Sequence, residues 1–475
     1  MTPAGEKITD IEEQISKLNE DLKQKGVKYC LAAFVDAHGI PKSKAVPIEH
    51  FQRMMRGSEL FTGAALDGLG QGPDDDELAL FPDPSAIKIL PWRPEVAWAP
   101  GDLKYHEKSW PMCSRTILAA QLERAEKMGY RVNLGIECEV FLVNRQGDTV
   151  FPANPKNVLP KAAYDTVGLL ESIDWLDENV GYMNSLGWEV HSFDHEDANS
   201  QFEFDFAYSD MMTMADRFIL WRLMMKETAR AHGFEATFMA KPYSDRTGNG
   251  AHFNMSFESL ETGENLFGDA SDTRGLGLSR LAYQYLAGIL DHAPAVVATT
   301  CPTVNSYKRL VKTGSMTGYT WAPVFISYGG NNRTNMLRVP KLRPSIEGNT
   351  SPSDGVYLSS ARVECRAVDT SMNPYLAAAM MLGAGLDGIE GELDPGEPQN
   401  VNTYELSELD LKEKGIKELP KTLIEAIDAF ASDPLSERVL GTDLVQSYSS
   451  LKTQEWWDYF NQITTWELDA YLTKF

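Results

Sequence analysis

Carboxylates stand two residues apart at Glu137 and Glu139, inside the strand-forming run Asn133-Leu-Gly-Ile-Glu-Cys-Glu-Val-Phe141. Alternate residues of a strand share a face, so both carboxylates point one way while Ile136, Cys138 and Val140 point into packing. Two like charges on one face repel unless a cation lies between them. Gly250-Ala-His-Phe-Asn-Met-Ser256 alternates in the same way, with Ala251, Phe253 and Met255 on one side and His252, Asn254 and Ser256 on the other. A row of imidazole, amide and hydroxyl makes a poor core wall and a good wall for a cleft holding metal and phosphate. In His195-Glu-Asp-Ala-Asn-Ser-Gln-Phe-Glu203, Glu196 precedes a short loop and Glu203 lies on the strand after it, so a hairpin-like return brings both toward one site. Arg362-Val-Glu-Cys-Arg366 puts Arg362, Glu364 and Arg366 on one face. Such mixed alternation is usually a salt-bridged surface, but beside phosphate it supplies one metal ligand and two guanidinium clamps. Arg309 in Asn305-Ser-Tyr-Lys-Arg309, and Arg333 and Arg338 in Asn331-Asn-Arg-Thr-Asn-Met-Leu-Arg338, add cations beside Asn, for which anion binding is the economical explanation.

The elements that must position these groups read as an antiparallel-type α+β pattern. A leading amphipathic helix is predicted over 5–26, a strand over Tyr29–Val35, a turn at Asp36-Ala-His-Gly39, an extended run through Lys44 to Pro47, a helix over 48–56 and a strand at Ala86–Pro91. Ser114 is the expected N-cap of a helix over 115–127, with a strand from Tyr130 to Val143. Further helices are predicted at 168–186, 209–232, 278–298 and 374–389, and strands at 189–194, 201–206, 235–240, 250–257, 324–329 and 361–367. Pro340 to Gly355 reads as an inserted Pro/Ser/Asn/Gly-rich loop. The tail from Leu419 reads as helical, with Glu455-Trp-Trp-Asp-Tyr-Phe460 in core or subunit packing. A boundary near residue 112 divides the chain into 1–112 and 113–475.

With 475 residues, 43% apolar and 24% charged, the chain is long enough for one large domain or two. A net charge of -24, from 68 acidic and 44 basic residues, argues against nucleic-acid and anionic-membrane partners. Cys30, Cys113, Cys138, Cys301 and Cys365 are scattered without CxxC spacing, as expected of reduced thiols. With no apolar run of 18 residues and no leader pattern, the expected location is the cytoplasm.

Taken together, Glu-x-Glu at 137 and 139, His-Glu-x6-Glu at 195–203, Gly-Asn-Gly-x-His at 248–252, Asn-Ser-Tyr-Lys-Arg-Leu at 305–310, Asn-Arg-Thr at 332–334, Arg-x-Glu-x-Arg at 362–366 and Asn-Pro-Tyr-Leu at 373–376 resemble the ordered motifs of the glutamine synthetase superfamily. The resemblance runs from about residue 28 to the C-terminus. His-Glu-Asp-Ala-Asn at 195–199, Thr-Trp-Ala-Pro at 320–323 and Glu-Leu-Asp-Pro-Gly at 392–396 are most similar to its γ-glutamylmethylamide synthetase branch. The resemblance implies a small N-terminal β-grasp-like domain over 1–112 and a large catalytic domain over 113–475 with an antiparallel sheet funnel. It also implies a dodecamer of two hexameric rings with sites between subunits. Glu139, Glu196 and Glu203 would hold one Mg²⁺ or Mn²⁺, and Glu137, His252 and Glu364 a second. Arg309, Arg366 and the Gly248 backbone would bind glutamate; Arg333 and Arg338, with Glu203, would serve the catalytic step; and Ser256, Asn254 and Arg338 would meet ATP. The implied reaction phosphorylates the glutamate γ-carboxylate and passes the γ-glutamyl group to an amine.

Three departures from that family pattern bear on substrate. Asn254 replaces the second histidine of the family's His-x-His. Thr62 in Phe61-Thr-Gly-Ala-Ala65 and Trp321 in Tyr319-Thr-Trp-Ala-Pro323 stand where ammonia-using relatives place Asp and Glu. Losing both carboxylates weakens ammonium capture by several kcal/mol in a dry site, on the order of a buried ion pair each. An organic amine gains from Trp321 and Ala65 at roughly 0.8 kcal/mol per buried methylene, and the indole can hold an alkylammonium by cation–π contact. The expected activity is an ATP-dependent glutamate:amine ligase, with methylamine first and isopropylamine or aniline as larger candidates, and an ammonia-using glutamine synthetase as the alternative. The third departure is a long stretch from Lys341 to Leu358. Tyr404, in Asn402-Thr-Tyr-Glu-Leu406, is similar to the adenylylation stretch of some glutamine synthetases, but its surroundings differ and no regulation is expected there.

Overall fold

Phe202, Phe204 and Phe206 alternate with Glu203 and Asp205, and the strand they form buries all three rings while leaving both acidic residues half-buried on the other face. The same two-residue period in Tyr130–Gln146 and Ala251–Ser259 gives one sheet an apolar back and a polar front. The computed structural model describes residues 3–147, 149–313, 315, 318–342 and 358–475. Among these an 11-stranded sheet runs in the order Val190–His195, Gln201–Phe206, Tyr130–Gln146, Ala251–Ser259, Val363–Cys365, Asn335–Val339, Phe325–Gly330 and Lys417–Glu418, with three short strands added along Tyr130–Gln146. Its back packs on the helices Ser114–Lys127, Met211–Ala231, Arg280–Asp291 and Pro374–Glu390, where Trp175, Trp221, Phe218 and Tyr285 are fully buried. Burying each such ring contributes about 1.5–3 kcal/mol, so the back face fixes which way the front face looks.

A second sheet of seven strands occupies the N-terminal part. Its order is Pro41–Pro47, Tyr29–Val35, Arg93–Tyr105, Leu78–Pro82 and Glu59–Phe61, with Lys88–Leu90 and Lys108–Ser109 flanking the long strand. The turn at Asp36 closes as its sequence predicts: the Asp36 carboxylate accepts from the His38 and Ile40 N–H groups, and Gly39 takes φ +75°. One core cluster lies beneath this sheet, yet Ala33, Val35, Leu90 and Trp98 belong to the core of the larger sheet, so the two sheets share a packed boundary. Arg115, buried, bonds Asp102 of this second sheet, Asp83 just after its Leu78–Pro82 strand, and Asp216 of the Met211–Ala231 helix.

The α+β class holds, with corrections. Strand pairing is antiparallel except for Tyr29–Val35 with Arg93–Tyr105 and Phe325–Gly330 with Asn335–Val339, which are parallel. The 13-residue strand Arg93–Tyr105 was hidden by Pro94, Pro100 and Gly101. Gly101 is required there, because a Cβ would lie 2.3 Å from the Phe81 carbonyl oxygen. The helix expected at 278–298 is two, Arg280–Asp291 and Ala293–Thr300, the second beginning with Pro294 in its first turn. That at 168–186 also divides, at Ser172. Strands end earlier than expected at Glu235–Thr237 and Val363–Cys365. Cys113, not Ser114, occupies the N-cap, and the Ser114 hydroxyl is buried without a partner. In the tail, Trp456 packs on the core but Trp457 and Phe460 are exposed. Most of the expected 340–355 insertion, from residue 343 on, lies outside the described residues. All five cysteines are buried and free. Among the described residues no helix is long and apolar enough to cross a membrane.

Candidate active site

Strand register lines the chemical groups up across the front of the larger sheet. Asp194 faces Glu203 and Glu203 faces Glu139. On the next pair Glu137 faces His252; then Asn254 faces Glu364, and Glu364 faces Arg338. The row therefore runs from carboxylates, through imidazole and amide, to guanidinium.

Two groups of ligand atoms lie within 4.8 Å of one another: Glu137, His252 and Glu364, and Glu139, Glu203 and His252. His252 Nδ1 is 2.8 Å from Glu137 Oε2, whose other oxygen accepts from Asn254 Nδ2 at 3.0 Å. Glu139 Oε2 accepts from Gln201 Nε2 at 2.9 Å and from the Gly250 N–H at 2.7 Å, which leaves Oε1 facing His252 Nε2 at 4.0 Å. Glu196 belongs to neither group; its Oε2 accepts from the Asp197 N–H at 2.8 Å. It lies near enough to Glu139 for the charge of Glu139, after burial, to raise the pKa of Glu196. The first of the expected metal sets thus has Glu139 and Glu203 together and Glu196 alongside, while the second is together as expected.

Burial and mutual repulsion push these carboxyls up: Glu139 to about 7, Glu196 to about 8, Asp194 to about 6, and Glu203 well above its usual range. Desolvation is the largest cause for each. Burial, then the charge of Arg366, holds His252 well below its usual value, so its imidazole is neutral and able to ligate. Oxygen donors with one neutral imidazole suit Mg²⁺ or Mn²⁺. A divalent cation removes the repulsion that raises the carboxyls, so the residues fit such an ion.

The arginines form the other end. Arg366 Nη1 bonds Glu364 Oε1 at 2.7 Å, and Arg338 Nη1 bonds Glu364 Oε2. Arg338 Nη2 also reaches Asn331 Oδ1 at 2.6 Å. Arg309, 4% exposed, donates to the Arg366 carbonyl at 3.3 Å. Among the described residues Arg309 Nη1, Arg338 Nε and Arg366 Nε are buried without partners. Each such unmade bond costs roughly 1–3 kcal/mol, and three of them on these linked arginines mark a place for an anionic ligand. Gly248 backs this pocket, its carbonyl accepting from Gln201 Nε2 at 3.1 Å, and any Cβ there would press on the Ala240 carbonyl and the Arg309 stem.

The remaining expected residues are spread wider. Ser256 follows in the same row, opposite Asn133, half-buried. Arg333 is exposed, its charge felt by Tyr164. Trp321 is 41% exposed, at φ +56°, with its carbonyl held by Arg366 Nη2 at 3.1 Å. Thr62 is exposed at the end of the edge strand Glu59–Phe61, and no described hydrogen bond joins it to the cleft.

Residues 111–471 match the family described as glutamine synthetase, catalytic domain. The chain belongs to the glutamine synthetase family. It is 40% identical over 461 residues to the glutamate–methylamine ligase of Methyloversatilis universalis, covering 97% of this chain and 99% of that one. It is 34% identical to the glutamine synthetase of Rhizobium leguminosarum bv. phaseoli, covering 95% and 98%. A solved complex of GmaS with ADP superposes with a TM-score of 0.86 at 35% identity, covering 96% of this chain and 99% of that one. GmaS without ligand gives 0.82 at 35% identity, covering 95% and 98%.

Sequence reasoning in this glutamine synthetase family member missed Gln201, Asn249 and Gly250. Gln201 Nε2 lies within 3.4 Å of Glu139, the Gly248 carbonyl and Asn249 Oδ1. Asn249 Nδ2 donates to the Thr237 and Met239 carbonyls, anchoring the Gly-Asn-Gly turn. Their signal was position: Gln201 lies two residues before Glu203, on the same strand face.

Proposed function

We propose that the chain is an ATP-dependent ligase that joins the γ-carboxylate of glutamate to a small organic amine, giving a γ-glutamylamide, ADP and phosphate. The observation that carries the reading is Trp321. An indole, not a carboxylate, stands on the segment tied through Arg366 to the Glu364 end of the cleft. The glutamate–methylamine ligase at 40% identity supports the same choice. Methylamine is the first candidate, and isopropylamine and aniline are larger ones.

In the first step a γ-carboxylate oxygen attacks the γ-phosphorus of ATP and ADP leaves. In the second, the amine nitrogen attacks the acyl carbon, phosphate departs and the nitrogen gives up its proton to water. Arg309 and Arg366 bind the glutamate carboxylates, using the Nη1 and Nε groups that lack protein partners. Arg338, with the exposed Arg333, faces the transferred phosphoryl group, and Ser256 with Asn254 meets the nucleotide. Glu137, His252 and Glu364 would hold one Mg²⁺ or Mn²⁺, and Glu139, Glu203 and Glu196 another. These ions would neutralise charge on the phosphoryl oxygens. Thr62, remote from the cleft contacts of its own chain, reaches the amine site of a neighbouring subunit in a dodecamer of two hexameric rings. The exposed Trp457, Phe460, Ile463 and Trp466 suit such an assembly. Five reduced, buried thiols suit the cytoplasm.

The test is phosphate release with product mass at fixed ATP, glutamate and Mg²⁺ or Mn²⁺ across ammonia, methylamine, isopropylamine and aniline. A γ-glutamylamide formed far faster from an organic amine is the expected result, with Trp321→Glu raising the relative use of ammonia. Faster turnover of ammonia by the unaltered protein would overturn the amine reading and leave an ammonia-using glutamine synthetase.

A further inference from the structure

Trp321 sits in the left-handed backbone region, at φ +56°, which non-glycine residues adopt only when their surroundings hold them there. Three polar contacts hold this segment. Thr320 Oγ1 donates to the Val311 carbonyl, Arg366 Nη2 donates to the Trp321 carbonyl, and the Tyr404 hydroxyl donates to the Ala322 carbonyl. Tyr404 also acts from the other side of Trp321, because its ring lies near-parallel to Tyr319, at 6.5 Å and 21°. Tyr319 in turn packs against the indole at 5.3 Å. One phenol thus meets Tyr319, two residues before Trp321, and Ala322, the residue after it.

Tyr404 is itself firmly placed. It lies in a short turn where Asn402 Oδ1 accepts from the Tyr404 N–H, and Thr403 donates twice to Thr334, from its N–H to the hydroxyl and from its hydroxyl to the carbonyl. Asn332 Nδ2 reaches back to the Gln399 and Val401 carbonyls. The turn is therefore stitched to the segment that carries Arg333 and Arg338. Burial raises the Tyr404 pKa above its ordinary value, so the phenol is protonated and able to donate at neutral pH.

We propose that Tyr404 is a positioning residue that holds the Trp321 indole at the amine subsite, so that preference for a small alkylamine over ammonia depends on its hydroxyl. The proposal rests on the ligase reading above. Through Arg366 the same segment is joined to Glu364, so the wall of the amine subsite is set relative to the glutamate and phosphoryl groups by one continuous set of contacts.

Tyr404→Phe in the full chain removes the hydroxyl and keeps the ring. The KM for methylamine should rise about five-fold, the equivalent of one hydrogen bond. The ratio of kcat/KM for methylamine to that for ammonia should fall by the same factor, and the KM for ATP should stay at the wild-type value. In a Trp321→Ala background, Tyr404→Phe should change the ratio no further. A wild-type ratio in Tyr404→Phe overturns the proposal, as does an equal further fall in the Trp321→Ala background. A proportionate loss with both nitrogen sources, with a lowered Tm, would make Tyr404 merely structural and overturns it too. If the unaltered protein makes no γ-glutamylamide from any organic amine, the ligase reading itself fails; if it does and Tyr404→Phe is silent, only the positioning role fails.

Discussion

Gly250 gives the sharpest test of the cleft. A Cβ added there would stand 2.7 Å from His252 Nε2, 2.8 Å from Glu139 Oε1 and 2.9 Å from Arg309 Nη2. Unstrained contacts between heavy atoms begin near 3.5 Å, so Gly250→Ala asks three groups to retreat by roughly 0.6–0.8 Å each. None retreats freely. His252 is held by Glu137, Glu139 by Gln201 and by the Gly250 N–H, and Arg309 runs under Gly248. The backbone accepts alanine, since Gly250 is absent from the positive-φ residues, so the strain falls on the site and not on the strand. Metal ligands tolerate about 0.2 Å of misplacement, and an error of about 1 Å costs on the order of 100-fold in rate. Mn²⁺ titration by calorimetry should show affinity reduced about ten-fold or more, and kcat/KM about 100-fold. The fold should lose only about 1–3 kcal/mol, as overpacking does. Wild-type Mn²⁺ affinity and turnover in Gly250→Ala would refute the assignment of Glu139 and His252 as metal ligands.

Removal of divalent ions should make stability depend on pH. Asp194, Glu139 and Glu196 have folded pKa values of about 6, 7 and 8, above their ordinary 3.8 and 4.5, so the stability they allow is complete at acid pH and lost as pH rises through 6 to 8. The Tm of chelator-treated protein should fall across that range while Mg²⁺-loaded protein stays level; a level profile in chelator would contradict the carboxylate cluster. His292, 2.8 Å from Asp433 and 3.6 Å from Asp387, has a raised pKa, so its contribution is full below about 6.5 and is lost as pH rises through the folded value. Urea unfolding of His292→Asn should differ most from wild type near pH 6 and least near pH 9, at about 1.5–3 kcal/mol at most. Arg115→Met leaves Asp216, 12% exposed, without a cation and with the Tyr375 hydroxyl as its remaining side-chain donor, and should cost about 3–5 kcal/mol in urea unfolding; a cost below about 1 kcal/mol would show that the three carboxylates do not depend on it.

Much of this site was legible because strand alternation is local. The period of two put Glu137 with Glu139, and His252 with Asn254 and Ser256, before any pairing was known. Register was not legible, since nothing within Gln201–Phe206 says that Glu203 will face Glu139, or within Val363–Cys365 that Glu364 will face both Asn254 and Arg338. Turn chemistry served well at Asp36-Ala-His-Gly39, where one carboxylate closes the loop. Proline misled in Arg93–Tyr105, whose two halves pair with different neighbours, so Pro100 and Gly101 fall where the partner changes. The ties of Gln201, Asn249 and Tyr404 are to backbone carbonyls or to groups distant in sequence, and side-chain type alone does not announce such partners.

The change of sign along the sheet explains why one cleft can hold reactants that repel one another. Glutamate and a nucleotide triphosphate are both anions, and the strands Gln201–Phe206 and Tyr130–Gln146 bring Glu203, Glu139 and Glu137 to the same face. At the far strands Arg338 and Arg366 are already spent in part on Glu364, so their remaining donors, with Arg309 Nη1, are too few to offset the acid end. Balance therefore has to come from cations held by the carboxylates themselves, and their raised pKa values measure how unfavourable the cluster is without them. Glu364 is the pivot: fully buried, shared between His252 and two guanidiniums, it is where the carboxylate–imidazole half and the guanidinium half of the row meet.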